Sequence, residues 1–160
     1  MSWKTILVPY DFSASADHAV AIATEEARLH GARIVLLHIV ELMHNYGPET
    51  DLIVRPGTTT PIMERRFFIE KAEAELAPVV AQLASAGIES SIAVRSGSPV
   101  EEIREYVRVN PVDAIVMGTH GRTGLAHVFL GSVAEKIVRT SPVPVLTIRH
   151  PDRPASGDNS

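Results

Sequence analysis

The chain has 160 residues, 45% of them hydrophobic and 21% charged, with a formal net charge of -4 and no cysteine. That length suits one domain burying roughly two-thirds of its unfolded surface, and the composition is that of an ordinary globular protein. The acidic balance argues against nucleic-acid partners, the absence of thiols excludes disulfides and thiolate chemistry, and no apolar run reaches membrane-spanning length, so no membrane association is expected.

The opening MSWKTILVPYD enters a strand at once, without a basic leader or cleavage site, so no signal peptide is expected and the cytoplasm is the expected compartment. The apolar run 5–9 is the first strand, and Tyr10, Asp11 and Phe12 turn the chain. Ser13 then suits the N-cap of a helix to about His30, with Ala19, Ala23 and Ala27 on one stripe and Gly31 as its stop. Residues 33–39 read as a second strand; Ile34, Val35, Leu36 and Leu37 form the continuous apolar run of a strand covered on both faces. The stretch 40–61 has no clear period and two turn signals, Gly47-Pro48 and Pro56-Gly57, so it reads as a long excursion.

A long helix to about Ala86 follows, with Ile69, Ala72, Leu76, Val79, Val80 and Leu83 as its buried stripe; Pro78 should kink or split it. Residues 89–95 are the third strand. Ser98 and Pro99 start another helix as N-cap and first helical residue, with Glu101 and Glu102 where negative charge suits the dipole. Residues 112–117 are the fourth strand. A glycine-rich loop follows, and then a helix with Val133, Ala134, Ile137 and Val138 on one face. Residues 143–148 are the fifth strand, and Pro144 is easiest to place at a sheet edge. The polar tail 150–160 is expected to be disordered.

This alternation specifies an α/β fold. The expectation is a single-domain, open, doubly wound parallel five-stranded sheet with helices on both faces, Rossmann-like, over residues 1–149. Ligands of such sheets sit beyond the carboxyl ends of the strands where strand order reverses. Asp11 and Gly118 close strands one and four, so they face one crevice if those strands are neighbours. The loop and helix start read GTHGRTGLAHVFLGS over residues 118–132. Glycines tolerate close approach by phosphate oxygens, and the free N–H groups of a helix start attract anions, so this segment points to nucleotide binding.

The spacing is Gly118, two residues, Gly121, nine residues, Gly131, then Ser132. In this it resembles the universal stress protein family, specifically the ATP-binding branch marked by this glycine pattern. Pro9 and Asp11 after strand one, His38-Ile39-Val40 ending strand two, and Gly97-Ser98-Pro99 before helix three agree. The resemblance covers roughly residues 3–149 and implies an adenine nucleotide alpha hydrolase-like scaffold. It implies that Asp11 accepts hydrogen bonds from the ribose, that the Ile39 backbone meets the adenine edge, and that Pro9 and Met117 belong to the cofactor-binding set. Gly118 and Gly121 would let the loop wrap the phosphates. Gly131, Ser132 and Val133 would present N–H groups, and Arg122 and His120 could neutralise phosphate charge.

Each assignment has a structural rival. Gly118 and Gly121 could serve only a tight turn, Asp11 could cap the first helix, Ser132 could be a plain helix residue, and Arg122 and His120 could be solvated loop charges. The seven histidines, among them His38, His44, His120 and His127, show no metal-ligand spacing, so no protein-held metal is expected; magnesium could arrive with the triphosphate. There is no G-x-S-x-G elbow and no Walker A lysine, so at most weak ATP hydrolysis is expected. The resemblance implies an ATP-binding sensor or regulator of a stress response, with a slow ATPase or nucleotidyl-type enzyme and a nucleotide-independent interaction protein as alternatives. It also implies a homodimer through strand 143–148, with a further protein partner left unidentified.

Overall fold

The computed structural model describes residues 2–41, 61–120 and 130–150, with the backbone alone for residues 61–65. The middle of the excursion, Gly121, Arg122, His127 and the tail from Pro151 lie outside the described residues.

In chain order the elements are β1 (Thr5–Pro9), α1 (Ala14–His30), β2 (Arg33–Val40), α2 (Pro61–Ser85), β3 (Ser90–Ser96), α3 (Pro99–Val109), β4 (Ala114–Gly118), α4 (Ser132–Thr140) and β5 (Val145–Ile148). The five strands form one sheet in the order β3-β2-β1-β4-β5, and every neighbouring pair is parallel. The chain therefore winds outward from β1 to β3, returns to β4 and winds the other way. The reversal lies between β1 and β4, with Ile6 opposite Ala114 and Leu7 opposite Ile115.

Two-fold alternation along the strands sorts the core into two layers. Ile6, Val8, Ile34, Leu36 and Val116 pack with Ala19, Ala23 and Ala27 of α1 and Leu76 and Leu83 of α2. Leu7, Val35, Leu37, Ile115 and Met117 pack on the other side with Ile103 and Val107 of α3 and Ala134 and Ile137 of α4. The alanine stripe of α1 brings that helix close to the sheet, and Gly31 ends it in the left-handed conformation (φ 67) with its N–H on Ala27 O.

Several boundaries differ from the sequence reading, each for a local reason. β4 begins at Ala114, because Asp113 turns its carboxylate to the N–H groups of Lys4 (2.8 Å) and Thr5 (2.9 Å). Those two donors hold the Asp113 carboxyl below its ordinary pKa. β3 spans Ser90–Ser96, one residue later than read. β5 begins at Val145 on the sheet edge; Pro144 stands just before it and accepts from Ile115 N at 2.9 Å, a role that needs no N–H of its own. Pro78 does not split α2, which is one element. Pro78 and Ala74 are both on its exposed side, so water can replace the donor that the Ala74 carbonyl loses. Val138 is 48% exposed and does not share the buried face of Ala134 and Ile137. Ser98 is the N-cap of α3, but its side chain makes no capping bond.

Among the described residues, no helix is long and apolar enough to cross a membrane. No group of three or more His, Asp or Glu residues there could hold a metal ion.

Candidate functional site

The reversal of strand order places the ends of β1 and β4 side by side, with β2 next to β1. Side-chain alternation decides which residues share that edge. Leu7, Leu37 and Met117 point to the α3/α4 layer, and Ile39 packs against it too, so Pro9, two residues beyond Leu7, falls on the same side. This is also the side on which α4 begins. Pro9, Ile39, Met117 and the α4 N-terminus are thus brought to one edge of one layer.

The loop between β4 and α4 is held together at its base. Thr119, 6% exposed, donates its N–H to Ile148 O at 3.0 Å and accepts from Gly131 N at 2.6 Å. Its hydroxyl meets His120 Nδ1 at 2.9 Å. A Cβ on Gly131 would lie 2.8 Å from Thr119 O, too close for any other residue without a shift. Gly131 therefore lets the two ends of the loop meet. Its N–H is spent on that closure, whereas the sequence reading offered it to phosphate. α4 has no side-chain cap. The first N–H groups of a helix have no partner within it; Glu135 N is the first to bond back, to Gly131 O, so Ser132, Val133 and Ala134 keep theirs, Ser132 and Val133 outermost.

Gly118 also has a packing reason. A Cβ there would lie 2.9 Å from both the backbone carbon and the Cβ of Ser15, and closer still to Ser15 Oγ. The close approach that Gly118 permits is to the first turn of α1. Ser15 is itself buried, and its Oγ has no hydrogen-bond partner.

Across the reversal, Asp11 begins the turn into α1. Its Oδ1 accepts from Ser13 N at 3.0 Å, and Ser13 Oγ in turn accepts from Ala16 N at 3.1 Å. Asp11 thus forms a turn ahead of the helix, and the capping role that the sequence offered it is filled by Ser13, the N-cap of α1. Phe12, between the two, has φ 64, a left-handed conformation rare outside glycine. Its ring meets Tyr10 edge-on at 5.1 Å and His38 at 5.0 Å, and His38 Nδ1 lies 2.8 Å from Tyr10 O. The Tyr10 hydroxyl donates to Asp17, and burial, then that acceptor, push its pKa far above the ordinary value.

The structure thus brings together Pro9, Asp11, Ile39, Met117, Gly118, His120, Gly131, Ser132 and Val133 at the carboxyl edge of the central strands, while Gly121 and Arg122 lie outside the described residues. Thr119, Ser15, Phe12 and His38 were not read as parts of this edge. Only His38 carried a signal, as the polar residue ending an apolar strand.

Residues 2–149 match the model of the universal stress protein family. The chain belongs to that family. A universal stress protein of Thermus aquaticus is 35% identical over 148 residues, covering 92% of this chain and 99% of the relative. The solved structure of universal stress protein UspA from Lactobacillus plantarum has a TM-score of 0.74 at 27% identity, covering 93% of this chain and 99% of that one. Two more distant structures share the fold and hold a nucleotide. One is a universal stress protein in complex with cAMP (TM-score 0.66, 22% identity, 94% and 99% covered). The other is that of Archaeoglobus fulgidus in complex with dAMP (TM-score 0.62, 24% identity, 92% and 99% covered).

Proposed function

We propose that this universal stress protein binds an adenine nucleotide, ATP in particular, at the edge between β1 and β4, and acts in the cytoplasm as a nucleotide-dependent sensor or regulator. The observation that carries this reading is the uncapped start of α4 on the side of the sheet shared with Pro9, Ile39 and Met117, across the reversal from Asp11. Such a helix start offers an anion its first N–H groups with the dipole behind them. The cAMP and dAMP complexes of other family members support an adenylate as the ligand class.

Ser132 and Val133 would hold phosphate, with the Ser132 hydroxyl as a further donor. Asp11 would accept hydrogen bonds from the ribose hydroxyls. Arg122 and His120 would add charge near the phosphates, and magnesium would enter with the triphosphate. Binding would bias the conformation of the glycine loop and of the 40–61 excursion, and a second subunit paired through the β5 edge, or another protein, would read that state.

The test is calorimetric titration with ATP, ADP and AMP, each with and without magnesium, after a check for co-purified nucleotide. Saturable binding that tightens with phosphate number is the expected result. No binding by protein shown to be nucleotide-free would overturn the reading.

A further inference from the structure

We infer that His38 and Phe12 are positioning residues for Asp11, acting from the opposite face of the sheet; this rests on the nucleotide reading above. Asp11 owes its place to a turn that the backbone does not favour by itself. The ladder between β1 and β2 continues one residue past Pro9, with Tyr10 N on Leu37 O at 2.9 Å. Two residues later the chain must reverse into α1, and it does so through Phe12 at φ 64. A bulky residue in that region is strained and persists only when its surroundings enforce it.

His38 and Tyr10 supply that enforcement. Alternation along β2 puts His38 on the face of Ile34 and Leu36, the α1/α2 layer, whereas Ile39 faces the nucleotide side. From there His38 makes two contacts with the turn. Its Nδ1 is 2.8 Å from Tyr10 O; a carbonyl can only accept, so Nδ1 carries the proton and donates. Its ring also meets the Phe12 ring at 5.0 Å with planes at 68°, and the far side of Phe12 is met by Tyr10. The donor fixes the peptide before Asp11, and the ring fixes the residue after it. With both neighbours fixed, Asp11 Oδ1 stays on Ser13 N and the carboxylate keeps one direction. His38 thereby limits the orientations of Asp11 without approaching a ligand.

A variant series separates this role from plain core packing. His38→Phe keeps a ring beside Phe12 and removes the donor; His38→Asn keeps a donor near the Nδ1 position and removes the ring. Loss of one net hydrogen bond corresponds to about a five-fold change. ATP affinity should fall about five-fold in His38→Phe and recover at least in part in His38→Asn, with Ser13 N–H exchange faster in His38→Phe. In an Asp11→Asn background His38→Phe should cost no further affinity, since the residue it serves is already altered. In a Phe12→Gly background its cost should shrink to under about two-fold, because glycine adopts positive φ without help.

If wild type binds ATP and Asp11→Asn weakens binding while His38→Phe lowers only the melting temperature, the nucleotide reading stands and the positioning role is overturned. Fully additive losses in the two double variants would overturn it too. Ser13 exchange reports on the turn without any nucleotide. Its acceleration in His38→Phe is the expected result even if ATP is not the ligand, and unchanged exchange there would overturn the role.

Discussion

Two strand-to-helix junctions flank the reversal in strand order, and they are built in opposite ways. The β1–α1 junction is short and satisfies itself: Asp11 takes Ser13 N, Ser13 takes Ala16 N, and Phe12 carries the one left-handed residue needed. The β4–α4 junction is long; among the described residues it is tied at its base, by Thr119 and Gly131, and its helix begins with no side-chain cap. The N-cap of α4 is Gly131, which has no side chain to offer, so the first N–H groups of that helix are not taken by a capping residue. The contrast teaches that the first junction is a rigid wall presenting a carboxylate, and the second a collar presenting N–H groups.

The hardest way to break the collar is to deny its closure. Gly131→Val would place Cβ 2.8 Å from Thr119 O, a backbone atom that cannot swing aside. The substitution should cost about 1–3 kcal/mol of stability in denaturant titration and remove measurable ATP binding, since the donors of Ser132 and Val133 move with it. Native affinity in this variant would mean that the nucleotide does not use the start of α4.

Gly118 tests whether a glycine of the same motif serves the ligand or the wall. Gly118→Ala should destabilise by roughly 1–2 kcal/mol through its collision with Ser15. Adding Ser15→Gly should restore part of that, because Oγ and Cβ are removed while the backbone carbon at 2.9 Å remains. The folded fraction of Gly118→Ala should keep ATP affinity to within about three-fold. A loss beyond ten-fold with stability intact would return Gly118 to the phosphate-wrapping role.

Asp11 divides the two functions of the wall within one side chain. Asp11→Asn retains an oxygen for Ser13 N, so stability should change by under about 0.5 kcal/mol, while ATP affinity falls about ten-fold through loss of a charge-assisted acceptor. Asp11→Ala should show the same affinity loss and in addition about 1 kcal/mol of destabilisation, since the turn loses its acceptor. Equal stability of the two variants would show that the Ser13 contact contributes little.

The architecture was legible in the sequence because its signals are regional. The unbroken apolar runs of β2 and β4, the alanine stripe of α1 and the glycine stops each depend on many residues pointing to one answer. Strand order was not legible: the adjacency of Asp11 and Gly118 was conditional on β1 and β4 being neighbours, and the order β3-β2-β1-β4-β5 supplies that condition. The edges of the site depend on single contacts instead, and those were not legible. Nothing in Gly118 announces Ser15 as its neighbour, 103 positions away in a chain of 160 residues. Gly131 reads as a phosphate glycine and turns out to give its N–H to Thr119. Phe12 at positive φ runs against local preference, and only the packing of Tyr10 and His38 accounts for it. Glycine spacing records that a close approach occurs, but not which atom makes it.

The finest test of the contrast compares two serines at helix starts: Ser13 is the N-cap of α1, and Ser132 is the first residue of α4, just after its N-cap Gly131. Ser13 caps α1 with its hydroxyl, whereas Ser132 opens α4 with no capping bond recorded for that helix. Ser13→Ala should therefore cost about 1 kcal/mol of stability and leave ATP affinity within about two-fold, because the wall loses a cap but keeps Asp11. Ser132→Ala should do the reverse: stability within about 0.5 kcal/mol, as for an ordinary exposed site, and affinity lower by about three- to five-fold for one lost donor. Paired denaturant and calorimetric titrations of the two variants read both effects. If Ser132→Ala lost stability as Ser13→Ala does, its hydroxyl would be serving the helix, and the donors of the collar would reduce to the backbone N–H groups of Ser132 and Val133.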